Sequence, residues 1–294
     1  MPSLDDLKKR IKSVKSTQKI TKAMKMVAAA KLRKAQESAE RGRPYSQKMQ
    51  NIILNLTKSI NDPSNAPKLL VGTGKDKQYL CVVLTADRGL CGGFNSNICK
   101  LAKTNFKKIL SEGKELKIIT VGSKGYDQIR REYGKYVIKK FSFKDKKNIT
   151  FNEADEVGNE ILSLFNQNAF DKCIIFYNNF KNVITQIPQA QQIIPTETNE
   201  LNNKENNTKY FSYEFEPDED EILEDLLPKN ISTQVFKALL ENAASEQGSR
   251  MTAMDNATRN AGDLVDKLTI NYNRSRQASI TKELIEIISG AESL

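Results

Sequence analysis

The stretch SLDDLKKRIKSVKSTQKITKAMKMVAAAKLRKAQE, residues 3–37, decides the fold class, because it contains neither glycine nor proline. The apolar residues of its first half step by three, four and three, which is the heptad spacing of a coiled coil, at Leu4, Leu7, Ile11 and Val14. This pattern predicts a helix from residue 3 to about residue 57, bent or locally disturbed near residues 42–44. We expect its apolar stripe to continue, more thinly, through Ile20, Met24, Val27, Leu32 and Ala35.

A second long helix is predicted from about residue 232 to residue 289, since no proline follows Pro228. Its apolar positions again step by three and four, at Val235, Leu239, Ala243, Met254, Ala257, Ala261, Leu264 and Leu268. At 1.5 Å per residue each helix would be on the order of 80 Å long, far above the globular mean. Such helices are covered most simply by each other, as an antiparallel coiled coil made from the two ends of the chain.

Between these helices short strands alternate with helices. Strands are predicted at residues 79–85, 116–121, 136–141 and 172–177, and helices at 98–110, 126–132 and 153–166. Later strands at 183–194 and 209–215 are expected at a sheet edge, a loop at 196–208, and an acidic solvated connector at 214–225. Alternation of this kind predicts a mostly parallel sheet covered by helices. The fold class is therefore α/β, a Rossmann-like central domain at 59–228 with terminal helices at 1–58 and 229–294.

Composition excludes several classes of site. The chain has no histidine, which rules out Ser-His and Cys-His nucleophile pairs and His-ligated metal sites. Its net charge is +10, and residues 1–58 hold 15 Lys and Arg against 4 Asp and Glu, so the basic excess lies in the first helix. Four cysteines without a Cys-x-x-Cys pair are expected to be free thiols in a reducing compartment. No stretch resembles a signal peptide or a membrane span.

Two glycine-rich stretches invite a phosphate-binding interpretation. The stretch at 72–75 lacks the upstream glycine and the Ser or Thr of a Walker loop. The stretch DRGLCGGF, residues 87–94, follows a predicted strand, but its glycines do not fit the dinucleotide fingerprint. A tight strand-to-helix turn is the favoured interpretation, with anion binding at the helix start as the alternative. We expect no catalytic, cofactor-binding or metal-binding residue, and a packed rather than reactive Cys91.

Four motifs resemble the gamma subunit family of F-type ATP synthases. STQKITKAMKMVAAAKLRKA, residues 16–35, is similar to the amino-terminal signature of that family, and NRSRQASITKELIEIISGA, residues 273–291, to its carboxy-terminal signature. DRGLCGG, residues 87–93, and ENAASEQGSRMTAM, residues 241–254, resemble two further family motifs. They occur in the family order and span nearly the whole chain.

The resemblance implies the central rotor stalk of the synthase, a subunit without an active site. It would transmit torque between a membrane c ring and a catalytic hexamer of three alpha and three beta subunits during proton-driven ATP synthesis. The implied partners are the alpha, beta and epsilon subunits and the c ring, without nucleic acid and without a cofactor. The implied location is the cytoplasmic face of a bacterial inner membrane, reached only through the c ring, with the mitochondrial matrix face as the alternative.

The resemblance also implies residues that couple the stalk to the hexamer. They are Met24, Arg33, Glu246, Arg250, Arg276, Gln277, Thr281, Glu283 and Glu286. A basic row suits acidic loops of the hexamer, because exposed ion pairs are weak and easily exchanged, and consists of Lys12, Lys15, Lys19, Lys22 and Lys25. An apolar stripe near the carboxy terminus would sit in an apolar sleeve, and consists of Ile280, Leu284, Ile287 and Ile288.

Two other classes of function stay open at this point. A basic coiled coil could bind a nucleic-acid backbone, although the basic stretch has no aromatic residue before Tyr45 on which bases could stack. A nucleotide-dependent α/β enzyme would need a phosphate loop, and both glycine stretches fail that test. The cysteines do not match the regulatory insertion of the chloroplast gamma subunit, so no thiol switch is expected.

Overall fold

The computed structural model describes residues 3–59, 67–146, 149–196 and 219–292. The chain divides into two compact units. The first unit comprises Met1–Ala30 and Arg250–Leu294, and the second unit comprises Lys31–Ser249.

Six α-helices and five strands account for the described residues. The helices are α1 (Leu4–Ser59), α2 (Lys68–Val71), α3 (Phe94–Ser111), α4 (Ser123–Tyr133), α5 (Phe151–Asn166) and α6 (Glu219–Glu292), with a 3₁₀ turn at Gly134–Tyr136. The strands are β1 (Gln78–Leu84), β2 (Glu115–Val121), β3 (Val137–Phe141), β4 (Lys172–Phe180) and β5 (Gln186–Ile194). The predicted strand at 209–215 and the loop at 196–208 lie outside the described residues, apart from residue 196.

The second unit contains one five-stranded sheet in the order β3-β2-β1-β4-β5. Strands β1 to β4 are parallel and β5 is antiparallel to β4, so the predicted mostly parallel sheet with a late edge strand is confirmed. Val82 of β1 is opposite Ile119 of β2 and Ile175 of β4. Because helices cover both faces, β1 is buried on both sides, which explains its unbroken apolar run.

Two apolar cores lie on the two faces of this sheet. On one face α5 and α6 pack against the strands, through residues such as Ile161 and Val235. On the other face α3 and α4 do so, through residues such as Phe106 and Ile129. These side chains are fully buried.

Helix α6 begins earlier than the sequence predicts. The expected start near residue 232 is wrong, because α6 begins at Glu219 and runs through Pro228. Leu223 and Leu227 are buried against Met49 and Ile53 of α1. This packing offsets the cost of a proline inside a helix, about 3 kcal/mol. The part of the acidic connector from residue 219 onward is therefore helix, and residues 214–218 lie outside the described residues.

Helix α1 runs without interruption through Pro44, where a bend or disturbance was predicted. The hydroxyl of Ser46 donates to the carbonyl of Gly42 at 3.2 Å. In the second unit Gly42 also lies against α6, since a Cβ atom there would be 3.7 Å from the side chain of Leu240.

Candidate functional site

In the first unit α1 and α6 form an antiparallel pair, residues 3–30 with residues 250–277, called the helix pair below. Three contacts define its register. Lys25 contacts Asp255 and Thr21 contacts Thr258, and the amide of Gln18 lies beside Gly262. From Lys25 back to Gln18 along α1, and from Asp255 forward to Gly262 along α6, the two helices cover the same number of residues in opposite directions, as an antiparallel coiled coil requires.

The seam of the helix pair is polar at its centre. The hydroxyls of Thr21 and Thr258 are 2.8 Å apart, and Lys25 Nζ lies 2.6 Å from Asp255 Oδ1. A Cβ atom on Gly262 would lie 3.1 Å from Gln18 Nε2, so glycine allows that close approach. We call these six residues the polar layer.

The polar layer corrects the predicted apolar stripe. Ile20 and Val27 are each 56% exposed, and Leu264 of α6 is also exposed, so their assignment to the seam is wrong. The heptad frame set by Leu4, Leu7, Ile11 and Val14 continues unchanged to Gln18, Thr21, Lys25, Ala28 and Leu32, of which Thr21, Ala28 and Leu32 are buried. Continuing the heptad spacing therefore identifies the residues that face the opposite helix better than following the apolar residues does.

The pair between Lys25 and Asp255 changes the charge state of the carboxyl group. The hydrogen bond from Lys25 lowers the pKa of Asp255, and the nearby charge of Arg259 lowers it further. Arg259 Nη2 lies 3.0 Å from Asp255 Oδ2. Asp255 is therefore ionised at neutral pH between one cation of the opposite helix and one of its own helix.

Four members of the basic row are exposed on α1: Lys12, Lys15, Lys19 and Lys22. The fifth, Lys25, does not belong to the exposed row, because it is half-buried and paired across the seam. The four exposed ammonium groups have no ion pair within the described part of the chain.

The carboxy-terminal end of α6 is apolar and exposed. Carried along α6, the register of the helix pair places the first turn of α1 opposite residues 273–276. Residues 280–292, here called the tip segment, therefore extend past the start of α1 for roughly 20 Å of helix. Its large apolar side chains are 50% to 68% exposed, and they are Ile280, Leu284, Ile285, Ile287 and Ile288.

The crevice where open α/β sheets bind nucleotides is filled by the chain itself in the second unit. That crevice lies at the carboxyl ends of β1 and β4, where the strand order reverses. There the hydroxyl of Ser245 donates to the carbonyl of Asn178, whose amide nitrogen donates to Asn242 Oδ1. The side chain of Asn178 donates to the carbonyl of Phe94, and all four residues are buried. Polar side chains of α6 thus occupy this position.

The thiols are buried and free, as expected. Burial raises the pKa of the Cys99 thiol to about 11, and it also raises the pKa values of the Cys81 and Cys173 thiols. Among the described residues, no cluster of acidic or cysteine side chains could hold a metal ion, and no helix is apolar enough over sufficient length to cross a bilayer.

Comparison with known proteins identifies the family. The family model described as ATP synthase matches residues 3–294. Over the full length of both chains, the sequence is 72% identical to the ATP synthase gamma chain of Pelagibacter ubique and 58% identical to that of Rhizobium leguminosarum. The chain belongs to the ATP synthase gamma chain family. Gamma chains are non-catalytic subunits, since catalysis lies in the beta subunits of the synthase.

Solved structures agree with this assignment. The central stalk of the Tetrahymena thermophila mitochondrial ATP synthase matches with a TM-score of 0.62 and 29% identity, over 81% of this chain and 99% of that chain. A chain of the Euglena gracilis mitochondrial ATP synthase matches with a TM-score of 0.68 over 99% of this chain and 94% of that chain, and its 20% identity shows the fold alone. The interpretation as a nucleic-acid-binding coiled coil is not supported.

The structure divides the coupling residues predicted from the gamma chain family between the two units. Arg33 and Glu246 belong to the second unit. Arg33 pairs with Glu37 of its own helix at 3.2 Å, and Glu246 accepts a hydrogen bond from Gln247 at 3.4 Å. The first unit holds the other seven, which are Met24, Arg250, Arg276, Gln277, Thr281, Glu283 and Glu286.

Within the first unit the seven residues form two groups. Met24 and Arg250 are half-buried near the polar layer. The other five are exposed on α6, near or within the tip segment, and the register puts Arg276 roughly 30 Å along the helix pair from Met24. The hydroxyl of Thr281 donates to the carbonyl of Gln277 in its own helix, and Lys282 lies 3.5 Å from Glu286.

Sequence reasoning missed Asp255 and Thr258, the partners of Lys25 and Thr21. Neither residue is apolar, so a search for apolar stripes passes over both. The strict three-four spacing of the first four seam positions was the signal that could have found them. Extended through the polar stretch of α1, that spacing reaches Thr21 and Lys25 and leaves each needing a polar partner.

Proposed function

We propose that the chain is the central rotor of an F-type ATP synthase and transmits torque between the c ring and the catalytic hexamer. Residues 1–58 and 229–294 would form the shaft, and residues 59–228 the base. The observation that carries this proposal is the tip segment. Five large apolar side chains stand exposed near the carboxy-terminal end of α6.

The exposure of the tip segment supports the proposal that a partner protein encloses it. Burying one large apolar side chain contributes about 1.5–3 kcal/mol, and a monomer rarely leaves several together in water. The five side chains lie between residues 280 and 288 and point in several directions around the helix, because consecutive positions such as Ile287 and Ile288 both belong to the set. At 3.6 residues per turn these five positions cover roughly half of the helix circumference, and such a broad apolar face fits an apolar sleeve that the alpha and beta subunits would supply.

The exposed lysines support a sliding contact. Lys12, Lys15, Lys19 and Lys22 offer mobile cations to acidic loops of the hexamer. Exposed ion pairs are worth about 0–1 kcal/mol each, so they can be broken and remade as the shaft turns. The polar layer adds a hydrogen-bonded connection between the two shaft helices, which would resist their sliding under torque.

The remaining partners follow from the same proposal. The base, residues 59–228, would stand on the c ring and contact the epsilon subunit, and three alpha and three beta subunits would surround the shaft. The similar gamma chains of Pelagibacter and Rhizobium are bacterial, which favours the cytoplasmic face of the inner membrane. The chain would reach the membrane only through the c ring.

Reconstitution tests the proposal. Purified alpha and beta subunits are mixed with and without this chain, and complex formation and steady-state ATP hydrolysis are measured. We expect one copy of the chain to enter each hexamer and to raise turnover, and the chain alone to hydrolyse no ATP. Polylysine at equal total charge is the control for a non-specific effect of basic protein. A chain that neither binds nor stimulates, or that does no more than polylysine, would refute the proposal.

A further inference from the structure

The carboxylate of Asp87 connects three loops at the carboxyl end of the sheet. It accepts hydrogen bonds from the backbone amide of Ser123 at 2.9 Å, the hydroxyl of Ser142 at 2.8 Å and the backbone amide of Phe143 at 3.0 Å. The carbonyl of Asp87 accepts a further bond from the Ser123 hydroxyl at 2.9 Å. One side chain therefore links the loop after β1 to the start of α4 and to the segment after β3.

The carboxylate lies where an anion would bind. Ser123 is the first residue of α4, and the free amides of a helix start favour a negative charge. In many α/β proteins a phosphate takes such a position, whereas here an aspartate of the preceding βα loop takes it. The close packing beneath depends on Gly122 and Gly125, because a Cβ atom on either would clash with Thr85.

The loop that begins at Asp87 is strained and exposed. Leu90 has a positive φ of 63°, which is uncommon for a residue with a branched side chain, and its side chain is 65% exposed. At the other end Cys91 is buried, and its sulfur accepts from the side-chain amide of Asn95 at 3.3 Å. Strained backbone of this kind persists only when the surroundings hold it in place.

We infer that Asp87 is a positioning residue that serves as a built-in anion at the start of α4 and holds residues 87–93 in one strained conformation. It keeps Leu90 and Arg88 at the surface and closes the helix start to anions from solution. This inference concerns the chain alone and does not depend on the proposed rotor function.

The chain contains a matched control. Asp171 also accepts from one hydroxyl and two backbone amides, those of Thr73, Lys77 and Gln78. It precedes β4, at the opposite, amino end of the parallel strands. Asp87→Ala and Asp171→Ala thus each remove one hydrogen bond from a hydroxyl and two from backbone amides, at opposite ends of one sheet.

The experiment measures cleavage after Arg88 by an arginine-specific protease on the full chain, with the products read by mass spectrometry. In the wild type, local opening of this loop has to break three charge-assisted hydrogen bonds to Asp87, and Asp87→Ala lacks all three. We therefore expect Asp87→Ala to speed this cleavage about tenfold or more. Asp171→Ala should leave cleavage at Arg88 within about twofold of the wild type. Asp87→Asn, which keeps the shape and one acceptor, should fall between, and it serves if the alanine variant does not fold.

Adding a small anion distinguishes two explanations for faster cleavage of Asp87→Ala, the loss of a built-in anion and a general loss of stability. Acetate or inorganic phosphate should slow the cleavage of Asp87→Ala after Arg88 and leave the wild type and Asp171→Ala unchanged. Equal acceleration in the two alanine variants, or no acceleration in Asp87→Ala, would overturn the positioning role. Acceleration that neither anion reduces would overturn the assignment of the carboxylate as a built-in anion.

Discussion

Replacing Gly122 by alanine should destabilise the second unit strongly. Gly122 has φ 96° and ψ 130°, a region that residues with a side chain rarely occupy, and this conformation alone costs about 1–3 kcal/mol. A Cβ atom there would lie 2.3 Å from the carbonyl oxygen of Thr85 and 2.8 Å from its Oγ1. Relieving that overlap requires the backbone to move, for which overpacked sites cost about 1–3 kcal/mol more. We expect Gly122→Ala to lower the free energy of unfolding by about 3–5 kcal/mol.

A second glycine provides the control. Gly113 also has a positive φ, of 70°, but a Cβ atom there would have nothing within 4 Å. Gly113→Ala should therefore cost only the conformational term, about 1–2 kcal/mol. The difference between the two variants reports the contact with Thr85 together with the less accessible backbone conformation of Gly122.

The buried thiols supply the assay. All four cysteines are buried in the second unit, so a thiol reagent applied along a urea gradient reports the unfolding of that unit. Gly122→Ala should move the labelling midpoint to a clearly lower urea concentration than Gly113→Ala does. Equal midpoints for the two variants would refute the claim that close approach to Thr85 requires glycine at position 122.

Three further predictions concern the helix pair and the capping of α5. Deleting Ile280–Leu294 should lower coupled ATP synthesis in the reconstituted synthase and leave the thiol-labelling midpoint of the second unit unchanged; normal synthesis after normal assembly would contradict the role of the tip segment. Lys25→Glu should speed amide hydrogen exchange in the helix pair, because it places two carboxylates together. Adding Asp255→Lys should reverse most of this effect. A double variant that exchanges as fast as the single variant would show that the pair between residues 25 and 255 does not connect the helices. Glu153 accepts from the hydroxyl and the amide of Thr150, and mainly the hydroxyl bond lowers its pKa from 4.5 to about 2. A carboxylate whose pKa is lower in the folded chain stabilises the fold at pH values above its unfolded pKa. This stabilisation is lost as the pH falls towards the folded pKa. The melting temperatures of the wild type and Glu153→Gln should thus differ most above pH 4.5 and converge towards about pH 2, and a difference that does not depend on pH would contradict this origin.

The architecture of the second unit could be predicted because its signals are local. Strands β1, β2 and β4 are short and mainly apolar runs that are covered on both faces, so burial leaves a nearly continuous mark in the sequence. The start of α6 could not be found in this way. Leu223 and Leu227 become helical by packing against α1, which lies about 170 residues away in sequence, and no local pattern around Pro228 shows that contact.

The candidate coupling surface was predictable only in part. The exposed apolar tip segment was visible in the sequence as a run of large aliphatic residues. The polar layer was not, because a lysine in a basic helix is normally a solvated residue, and its partner Asp255 is 230 positions away. Asp87 is similar, since its three donors come from loops brought together by the sheet.

The register of the helix pair has a consequence for synthesis of the chain. Thr21 and its partner Thr258 are separated by 237 residues, so the first helix of the chain is complete long before its partner exists. At translation rates of about 5–20 residues per second, the amino-terminal seam waits on the order of 10–50 s without its partner. During that interval Leu7 and Ala28, both buried in the folded chain, are open to the ribosome surface, to chaperones and to other nascent chains. The polar residues at the centre of the seam interrupt this apolar strip and so lower its tendency to aggregate before the last helix arrives.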